Sequence, residues 1–140
     1  MNTQKLLNCV NMKDCIFCKE SNEILDGEMS FKNWYLKWDE YPVNPGHLLI
    51  IPRRHIRSIF ELNLAEFLSL WKVFYHVKRI IYSKYNPDGL NIGINDGVAA
   101  GQSIMHLHIH IIPRYNGDVE NPRGGVRGVI PNKQNYGDNI

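Results

Sequence analysis

Three histidines at alternate positions near the C-terminal end of the chain constrain its fold more than any other feature. His106, His108 and His110 are separated by single aliphatic residues. Because the side chains of a β-strand point alternately to its two faces, this run predicts a strand over about residues 104–112 with three imidazoles on one face. Three imidazoles on one rigid strand can bind a metal, hold phosphate oxygens or attack an electrophile.

Other segments of the chain also resemble β-strands, because they are rich in aromatic residues, continuously apolar or alternating. Strand-like runs lie at about residues 31–38, 47–51 and 90–95, with turn residues beside them. With one long helix, they predict a single α+β domain with a mainly antiparallel sheet. We expect a loose N-terminal tail over residues 1–14, the domain over 15–115, and a glycine- and arginine-containing C-terminal tail over 116–140.

The long helix is predicted from apolar residues at helical spacing. Asn63 has the position of an N-cap with Glu66 three residues later, and Asn86-Pro87 ends the pattern. We therefore expect a helix over about residues 64–85 with one buried face. That face would contain Leu64, Phe67, Leu68, Trp71, Phe74, Val77 and Ile81.

Composition excludes several classes of protein. The formal net charge of the 140 residues is only +2, which argues against a dedicated nucleic-acid-binding surface. No apolar run approaches the roughly 20 residues that span a bilayer, and the N-terminus has no signal-peptide pattern. We therefore expect a cytoplasmic protein that binds neither nucleic acid nor membranes.

The loop before the histidine run suits the binding of phosphate. Gly97 and Gly101 would let backbone N–H groups approach phosphate oxygens, and Gln102 and Ser103 add donors. A neutral imidazole is a good nucleophile near neutral pH, and its phosphoramidate product is labile to water. The alternative for the loop is an ordinary turn, because glycine-rich turns before strands are common. The alternative for the histidines is a solvent-facing strand with no chemical role. Strict alternation favours phosphoryl or nucleotidyl transfer.

Cys15 and Cys18 form a Cys-x-x-Cys motif at the start of the predicted domain. This spacing is typical of one half of a tetrahedral zinc site, whose other ligands would be histidines elsewhere in the chain. His55 and His106 are the candidates for a structural Cys2His2 site. A redox pair and two reduced thiols are the alternatives, although an odd count of three cysteines argues against a disulfide framework.

Several motifs resemble the histidine-triad (HIT) family of nucleotide hydrolases and transferases. The run from His106 to Ile112, preceded by Gly101-Gln102-Ser103, resembles the family signature. Residues 15–19 resemble the zinc knuckle of bacterial members, residues 45–55 the Pro-Gly-His strand and following histidine, and residues 91–97 the strand that enters the phosphate loop. The resemblance covers about residues 15–115. It implies a five-stranded, mainly antiparallel sheet with one long and one shorter helix, and a homodimer.

The resemblance also implies the roles of individual residues. His108 would be the nucleophile that attacks the α-phosphorus of a nucleotide, and Asp39 would bind the ribose hydroxyls. The other catalytic residues would be His110, Ser103, Gln102 and His47. The nucleotide would also contact Asn95, Gly101, Gln102, Ser103, His108 and His110. In members that hold zinc, the ligands match Cys15, Cys18, His55 and His106, and no organic cofactor is expected.

These residues lead to a hydrolase as the first hypothesis. It would cleave dinucleoside polyphosphates or related nucleotide conjugates through a covalent nucleotidyl-histidine intermediate. Residues 96–102 and 113–115 look closer to the branch of the family that cleaves dinucleoside polyphosphates. The alternatives are a phosphorylase or nucleotidyltransferase with the same intermediate, and a nucleotide-binding sensor with weak activity. Related transferases carry Gln where this chain has His110, which disfavours a transferase.

Overall fold

One long helix packs against an antiparallel sheet in the computed structural model of the chain, which describes residues 12–21, 25 and 30–137. The helices and strands are α1 (Ile16–Lys19), β1 (Trp34–Trp38), β2 (Leu48–Pro52), α2 (Leu64–Tyr85), β3 (Gly89–Ile94) and β4 (Ile109–Arg114). Short 3-10 turns lie at Ile59–Glu61, Val98–Ala100, Gly125–Val129 and Pro131–Lys133. Within the described part, no helix has the length and apolar character needed to cross a membrane.

The strand order brings the end of the histidine run to the middle of the sheet. The order is β1-β2-β4-β3, and each neighbouring pair is antiparallel. His110 lies opposite Leu49 of β2 on one side and Gly93 of β3 on the other. Ile109 and Ile111 are buried in the core cluster that contains residues of α2, so His110 projects from the opposite face.

Two expectations about the strands are corrected. The described residues form four strands rather than five, because they contain only the four strand-like runs of the sequence and the fifth strand came from the resemblance. In addition, β4 begins at Ile109 rather than near residue 104. The N–H of Leu107 donates to the carbonyl of Ile56 at 2.7 Å, and Nε2 of His106 donates to the carbonyl of Pro52 at 2.8 Å. This part of the run therefore bonds to the end of β2 and the segment after it instead of extending the ladder.

Side-chain caps explain where α2 begins and ends. The side chain of Asn63 accepts from the N–H of Glu66 at 2.9 Å, and the Glu66 carboxylate accepts from the N–H of Asn63 at 3.1 Å. At the other end, Asn86 has a φ of 44°, the left-handed conformation that often terminates helices, and Pro87 follows. The predicted helix over residues 64–85 is confirmed.

Only part of the face of α2 expected from the sequence is buried: Val77 and Ile81 lie in the core and Phe74 packs against it, whereas Leu64, Phe67, Leu68 and Trp71 are exposed. The hydrophobic residues of α2 buried against the sheet are Leu70, Val73, Val77, Ile80 and Ile81. The exposed stripe, by contrast, consists of four large side chains that are 60–75% exposed: Phe67, Leu68, Trp71 and Tyr75. The helix therefore carries two apolar stripes, and helical spacing alone does not distinguish the one that meets the sheet.

Gly46 lets the end of α2 approach the loop before β2. Its φ is +87°, and a Cβ built there would lie only 2.7 Å from the ring of Tyr85, the last residue of α2. Glycine satisfies both the backbone conformation and the close approach. His47 follows directly, and its N–H donates to the carbonyl of Asn44 at 3.1 Å. The contact between Gly46 and Tyr85 thus helps to position His47.

Candidate active site and metal centre

Three imidazoles gather on the face of the sheet opposite α2. The ring centroids of His108 and His110 are 5.0 Å apart, and those of His47 and His110 are 5.2 Å apart. His47 immediately precedes β2, and the pairing of β2 with β4 brings it beside His110. His106 lies apart from this group, because its ring turns towards the two cysteines.

Hydrogen bonding assigns the tautomer of His108. Its Nδ1 lies 2.8 Å from the carbonyl oxygen of His106, so Nδ1 carries the proton and donates it. Nε2 therefore keeps its lone pair, which is the nucleophilic form of imidazole. Burial lowers the pKa of His108, opposed in part by the bond to the His106 carbonyl, so the ring is uncharged at neutral pH.

A second series of hydrogen bonds gives His110 the opposite polarity. The N–H of Val43 donates to Nδ1 of His47 at 3.0 Å, so Nε2 of His47 carries the proton and donates to Nδ1 of His110 at 3.0 Å. The proton of His110 must then be on Nε2. That nitrogen is buried and has no hydrogen-bond partner among the described residues. The imidazole of His108, with a lone pair on Nε2, is therefore adjacent to the imidazole of His110, whose Nε2–H has no acceptor.

Asp39 adds a carboxylate to the same group. Its Oδ2 lies 3.4 Å from Nε2 of His47 and 3.9 Å from Nδ1 of His110, while Oδ1 accepts from the N–H of Tyr41 at 2.8 Å. Burial lowers the pKa of His110 to about 4, with His108 and His47 adding to the effect and Asp39 opposing it. Burial also lowers the pKa of His47, against the attraction of Asp39. The imidazoles are therefore neutral at physiological pH.

Gln102 holds the loop between β3 and β4 in shape. Its side chain is buried, its Oε1 accepts from the N–H of Gly97 at 2.8 Å, and its Nε2 donates to the carbonyl of Arg57 at 3.0 Å. Gly97 and Gly101 both have a φ of +90°. Ser103, the next residue along the loop, is exposed. Both polar groups of the Gln102 amide are thus used inside the protein, whereas the hydroxyl of Ser103 can reach a ligand.

Two residues that support this loop were not found from the sequence. Ser58 donates from its hydroxyl to Oδ2 of Asp96 at 2.6 Å, and Arg57 acts through its backbone carbonyl. Neither belongs to a motif, and a backbone acceptor leaves no sequence signal. Asn95, which the resemblance assigned to the nucleotide, lines a cavity that also contains His47 and His110.

The predicted metal ligands come together in one cluster. Ligand atoms of Cys15, Cys18, His55 and His106 all lie within 4.8 Å of one another. Nδ1 of His106 is 3.5 Å from each cysteine sulfur and 3.2 Å from Nδ1 of His55, and Nδ1 of His55 is 3.2 Å from Sγ of Cys18. Zinc–sulfur bonds of about 2.3 Å and zinc–nitrogen bonds of about 2.0 Å place tetrahedral ligands roughly 3.3–3.8 Å apart. The cluster therefore fits a zinc ion.

The chemistry of the donor atoms also suits a cation. Nε2 of His106 donates to the carbonyl of Pro52, so its lone pair on Nδ1 faces the cluster. Burial raises the pKa of the Cys18 thiol to about 12, with Cys15 adding to the effect. A divalent cation would supply the positive charge that thiolates need in this environment.

The comparison of the sequence with protein families decides the family. The model of the HIT domain matches residues 29–117. The chain belongs to the HIT domain family. A Zn-bound histidine triad family protein from Mycobacterium smegmatis has the same fold, with a TM-score of 0.66 and 29% identity over 79% of this chain and 82% of that chain. The expected HIT-like α+β architecture is therefore confirmed, apart from the number of strands.

Two curated relatives of this HIT protein have named activities. The bis(5'-adenosyl)-triphosphatase of Dictyostelium discoideum is 38% identical over 103 residues, which cover 74% of this chain and 66% of that relative. The AP-4-A phosphorylase of Mycobacterium tuberculosis is 39% identical over 79 residues, which cover 56% of this chain and 40% of that relative. The chain thus spans no more than 66% of the length of these two relatives.

Proposed function

We propose that this HIT protein hydrolyses dinucleoside polyphosphates, or related nucleotide conjugates, at the α-phosphate. The observation that carries the proposal is the pairing of two adjacent imidazoles, one with a lone pair on Nε2 of His108 and one with an unpartnered N–H on Nε2 of His110. A phosphate group matches both, because it offers an electrophilic phosphorus and acceptor oxygens. The triphosphatase named among the relatives supports the same class of substrate.

The reaction would proceed in two displacement steps. Nε2 of His108 forms a bond to the α-phosphorus while the bond from phosphorus to the bridging oxygen breaks, and the departing phosphate chain takes the electron pair. Water then attacks the nucleotidyl-His108, the N–P bond breaks, and a nucleoside monophosphate leaves. The Nδ1–H bond to the His106 carbonyl stabilises the charge that the ring gains in the first step.

The other residues of the site would bind and orient the substrate. His110 would donate from Nε2 to a non-bridging oxygen, supported by the hydrogen bond from His47. Gly101 and Ser103 would contact further phosphate oxygens, with the loop held in place by Gln102. Asp39 would bind the ribose hydroxyls and Asn95 would contact the nucleotide, as the resemblance implies.

We also propose that Cys15, Cys18, His55 and His106 hold a structural zinc ion. The ion would fix the N-terminal Cys-x-x-Cys segment to His55, in the segment after β2, and to His106, which precedes β4. The carbonyl of His106 accepts the hydrogen bond from Nδ1 of His108. By fixing His106, the metal ion would therefore also keep His108 in its reactive tautomer.

We further propose a homodimer through the exposed stripe of α2. Four large apolar side chains, Phe67, Leu68, Trp71 and Tyr75, lie along this stripe and are mostly exposed in the single chain. A contiguous apolar patch of this kind typically marks an interface. A second copy of the chain carries the same stripe and suits a two-fold symmetric contact.

A phosphorylase is the second candidate, because a relative with that name matches at similar identity. It would share the nucleotidyl-His108 intermediate and transfer the nucleotidyl group to inorganic phosphate instead of water. The product would then be a nucleoside diphosphate in place of a monophosphate. The residues of the described site suit either acceptor.

The experiment that tests the proposal follows turnover of diadenosine triphosphate, with and without added phosphate, by mass spectrometry. Hydrolysis yields one AMP and one ADP per turnover in both conditions, whereas a phosphorylase turns over only with added phosphate and yields two ADP and no AMP. His108→Ala should lower kcat at least about 1,000-fold while nucleotide still binds. His76→Ala is the matched control, because His76 lies on α2 with its ring 5.4 Å from that of Phe31. Turnover by His108→Ala within a few-fold of wild type would contradict the proposal.

A further inference from the structure

Residues 119–134, here called the C-terminal wall, cover part of the sheet face that carries the histidines. The wall contains the turns Gly125–Val129 and Pro131–Lys133, and the first of them contacts β3. A Cβ at Gly124 would overlap the backbone carbonyl of Gln134, and one at Gly128 would lie 2.7 Å from Oε1 of Gln134. The wall thus folds tightly on itself, which explains the glycines of a segment that the family signature does not include.

An ion-pair network joins the sheet to the start of the wall. Arg114, at the end of β4, donates to both carboxylate oxygens of Asp118 at 2.7 Å and to Oδ1 of Asn91 at 2.7 Å. Asn44 donates to Oδ2 of Asp118 at 2.8 Å and to the carbonyl of Pro113 at 3.0 Å. Residues of β3, β4 and the loop before β2 therefore hold the chain where the wall begins.

A cavity of about 720 Å³ lies between the wall and the sheet. His47, His110 and Asn95 line one end of the cavity, and the wall lines the other. The volume falls within the roughly 300–1,000 Å³ of small-molecule sites. Four valines with exposed fractions of 46–79% line it: Val43, Val119, Val126 and Val129. Exposed apolar side chains that face one cavity indicate a ligand that covers them.

The polar residues of the cavity favour an uncharged ligand. Amide side chains of Asn91, Asn121 and Gln134 line it, and they can both donate and accept hydrogen bonds. Arg114 also lines it, but its charge is paired with Asp118. Apolar side chains suit the faces of a nucleobase and amides suit its edge, whereas a further phosphate group would find no unpaired cation among the described lining residues.

We propose that this cavity binds the second nucleoside of a dinucleoside polyphosphate, the one that departs with the leaving group. The inference rests on the proposed function. His110 and His47 line the cavity whereas His108 does not, so the ring of His110 lies between the cavity and the proposed nucleophile. An in-line displacement places the leaving group on the far side of the phosphorus from the attacking atom. The C-terminal wall therefore selects substrates that carry a nucleoside at both ends.

The test compares two substrates that deliver the same adenylyl group to His108. The leaving group of diadenosine triphosphate is ADP, which carries the second nucleoside. The leaving group of adenosine 5'-phosphoramidate is ammonia, which carries none. The measured quantity is the ratio of kcat/KM for the first substrate to kcat/KM for the second. The double variant Val126→Ser, Val129→Ser should lower this ratio about tenfold, because it removes apolar contacts to the departing base. Phe60→Ser should keep the ratio, since Phe60 is exposed on another 3-10 turn and does not line the cavity.

A filling variant tests the same inference from the floor of the cavity. Gly93 lines the cavity, and a Cβ there would meet no atom within 4 Å, so Gly93→Val adds bulk to the cavity and its Cβ meets no clash. Gly89→Val is the matched control, because Gly89 lies in the same strand, outside the cavity, and its Cβ would be 4.0 Å from Cβ of Arg114. The ratio should fall in Gly93→Val and stay constant in Gly89→Val.

The outcomes separate this inference from the proposed function. If the wild-type protein cleaves both substrates and the ratio stays within twofold in the valine and Gly93 variants, the second-nucleoside site is wrong and the hydrolase stands. If the wild-type protein cleaves neither substrate and forms no adenylyl-His108, the proposed function fails and the inference fails with it.

Discussion

His108 donates the proton of Nδ1 to the backbone carbonyl of His106, 2.8 Å away. One residue therefore contributes to both proposed sites, because the His106 ring faces the cysteine cluster while its carbonyl sets the tautomer of His108, the proposed nucleophile. Disorder at the metal site should consequently reach the reaction centre through a single hydrogen bond.

Loss of a metal ligand should thus affect both stability and turnover. We expect Cys18→Ser to abolish bound zinc, lower the melting temperature and reduce kcat by about 10–100-fold. Metal content by mass spectrometry, thermal unfolding and turnover measure the three effects. Cys9→Ser is the control, because the proposed ligand set does not include Cys9. A Cys18→Ser protein with full zinc content would remove Cys18 from that set.

The low pKa of His110 predicts a stability that depends on pH. Burial lowers this pKa from 6.5 to about 4, so between these values the unfolded chain binds the proton that the folded chain excludes. The free energy of unfolding should therefore fall as the pH falls from 6.5 to 4. The contribution of His110 is about 2 kcal/mol, below the full value of the shift because water reaches part of the ring.

The variant His110→Asn isolates that contribution. Asparagine can still accept the hydrogen bond of His47 but does not titrate. Urea unfolding at several pH values should give a shallower slope for the variant, with a remainder from His47, His106 and His108, whose pKa values burial also lowers. An unchanged slope would mean that His110 does not titrate in this range.

Gln102 should matter for the loop as much as for the substrate. Gln102→Ala leaves the N–H of Gly97 and the carbonyl of Arg57 without their partners, which we expect to cost about 1–3 kcal/mol. Amide hydrogen exchange at Gly97 should become faster in the variant. Protection of Gly97 equal to that in wild type would show that other contacts hold the loop.

The capping box of α2 predicts a specific loss of stability. Asn63→Ala removes the acceptor for the N–H of Glu66 and should cost about 1 kcal/mol. Asn63→Ser keeps a capping oxygen and should stay within a few tenths of a kcal/mol of wild type. Chemical denaturation of the two variants provides the comparison, and equal losses would argue against the cap.

The exposed stripe of α2 predicts an oligomer that one charge disrupts. Trp71→Glu places a carboxylate in the middle of this stripe and should give a monomer by light scattering with an unchanged circular dichroism spectrum. Tyr41→Glu, at an exposed residue of the loop between β1 and β2, is the control. A wild-type protein that is already monomeric at high concentration would exclude the dimer.

Features with a local pattern could be predicted from the sequence. The bounds of α2 follow from Asn63, Glu66 and Asn86-Pro87, which are neighbours along the chain. The proposed metal ligands also have a local signal, because a Cys-x-x-Cys motif indicates that two further donors lie elsewhere in the chain. The structure brings all four of these ligands together.

Features that depend on distant pairing could not be predicted in the same way. The contact between His47 and His110 requires the register of β2 against β4, which no local pattern specifies. The choice between the two apolar stripes of α2 depends on which one the sheet covers. The partners of the loop act partly through backbone atoms, as Arg57 does, and these carry no sequence signal.

The contact between Gly46 and Tyr85 couples the length of the long helix to the position of His47, a proposed catalytic residue. Tyr85 is in the last turn of α2, and the residue after Gly46 is His47. A helix longer or shorter by one residue would rotate its final side chain by about 100° and remove the surface against which Gly46 rests. Insertions and deletions within α2, although far from His108 in sequence, should therefore be tolerated only in combinations that restore the same end point.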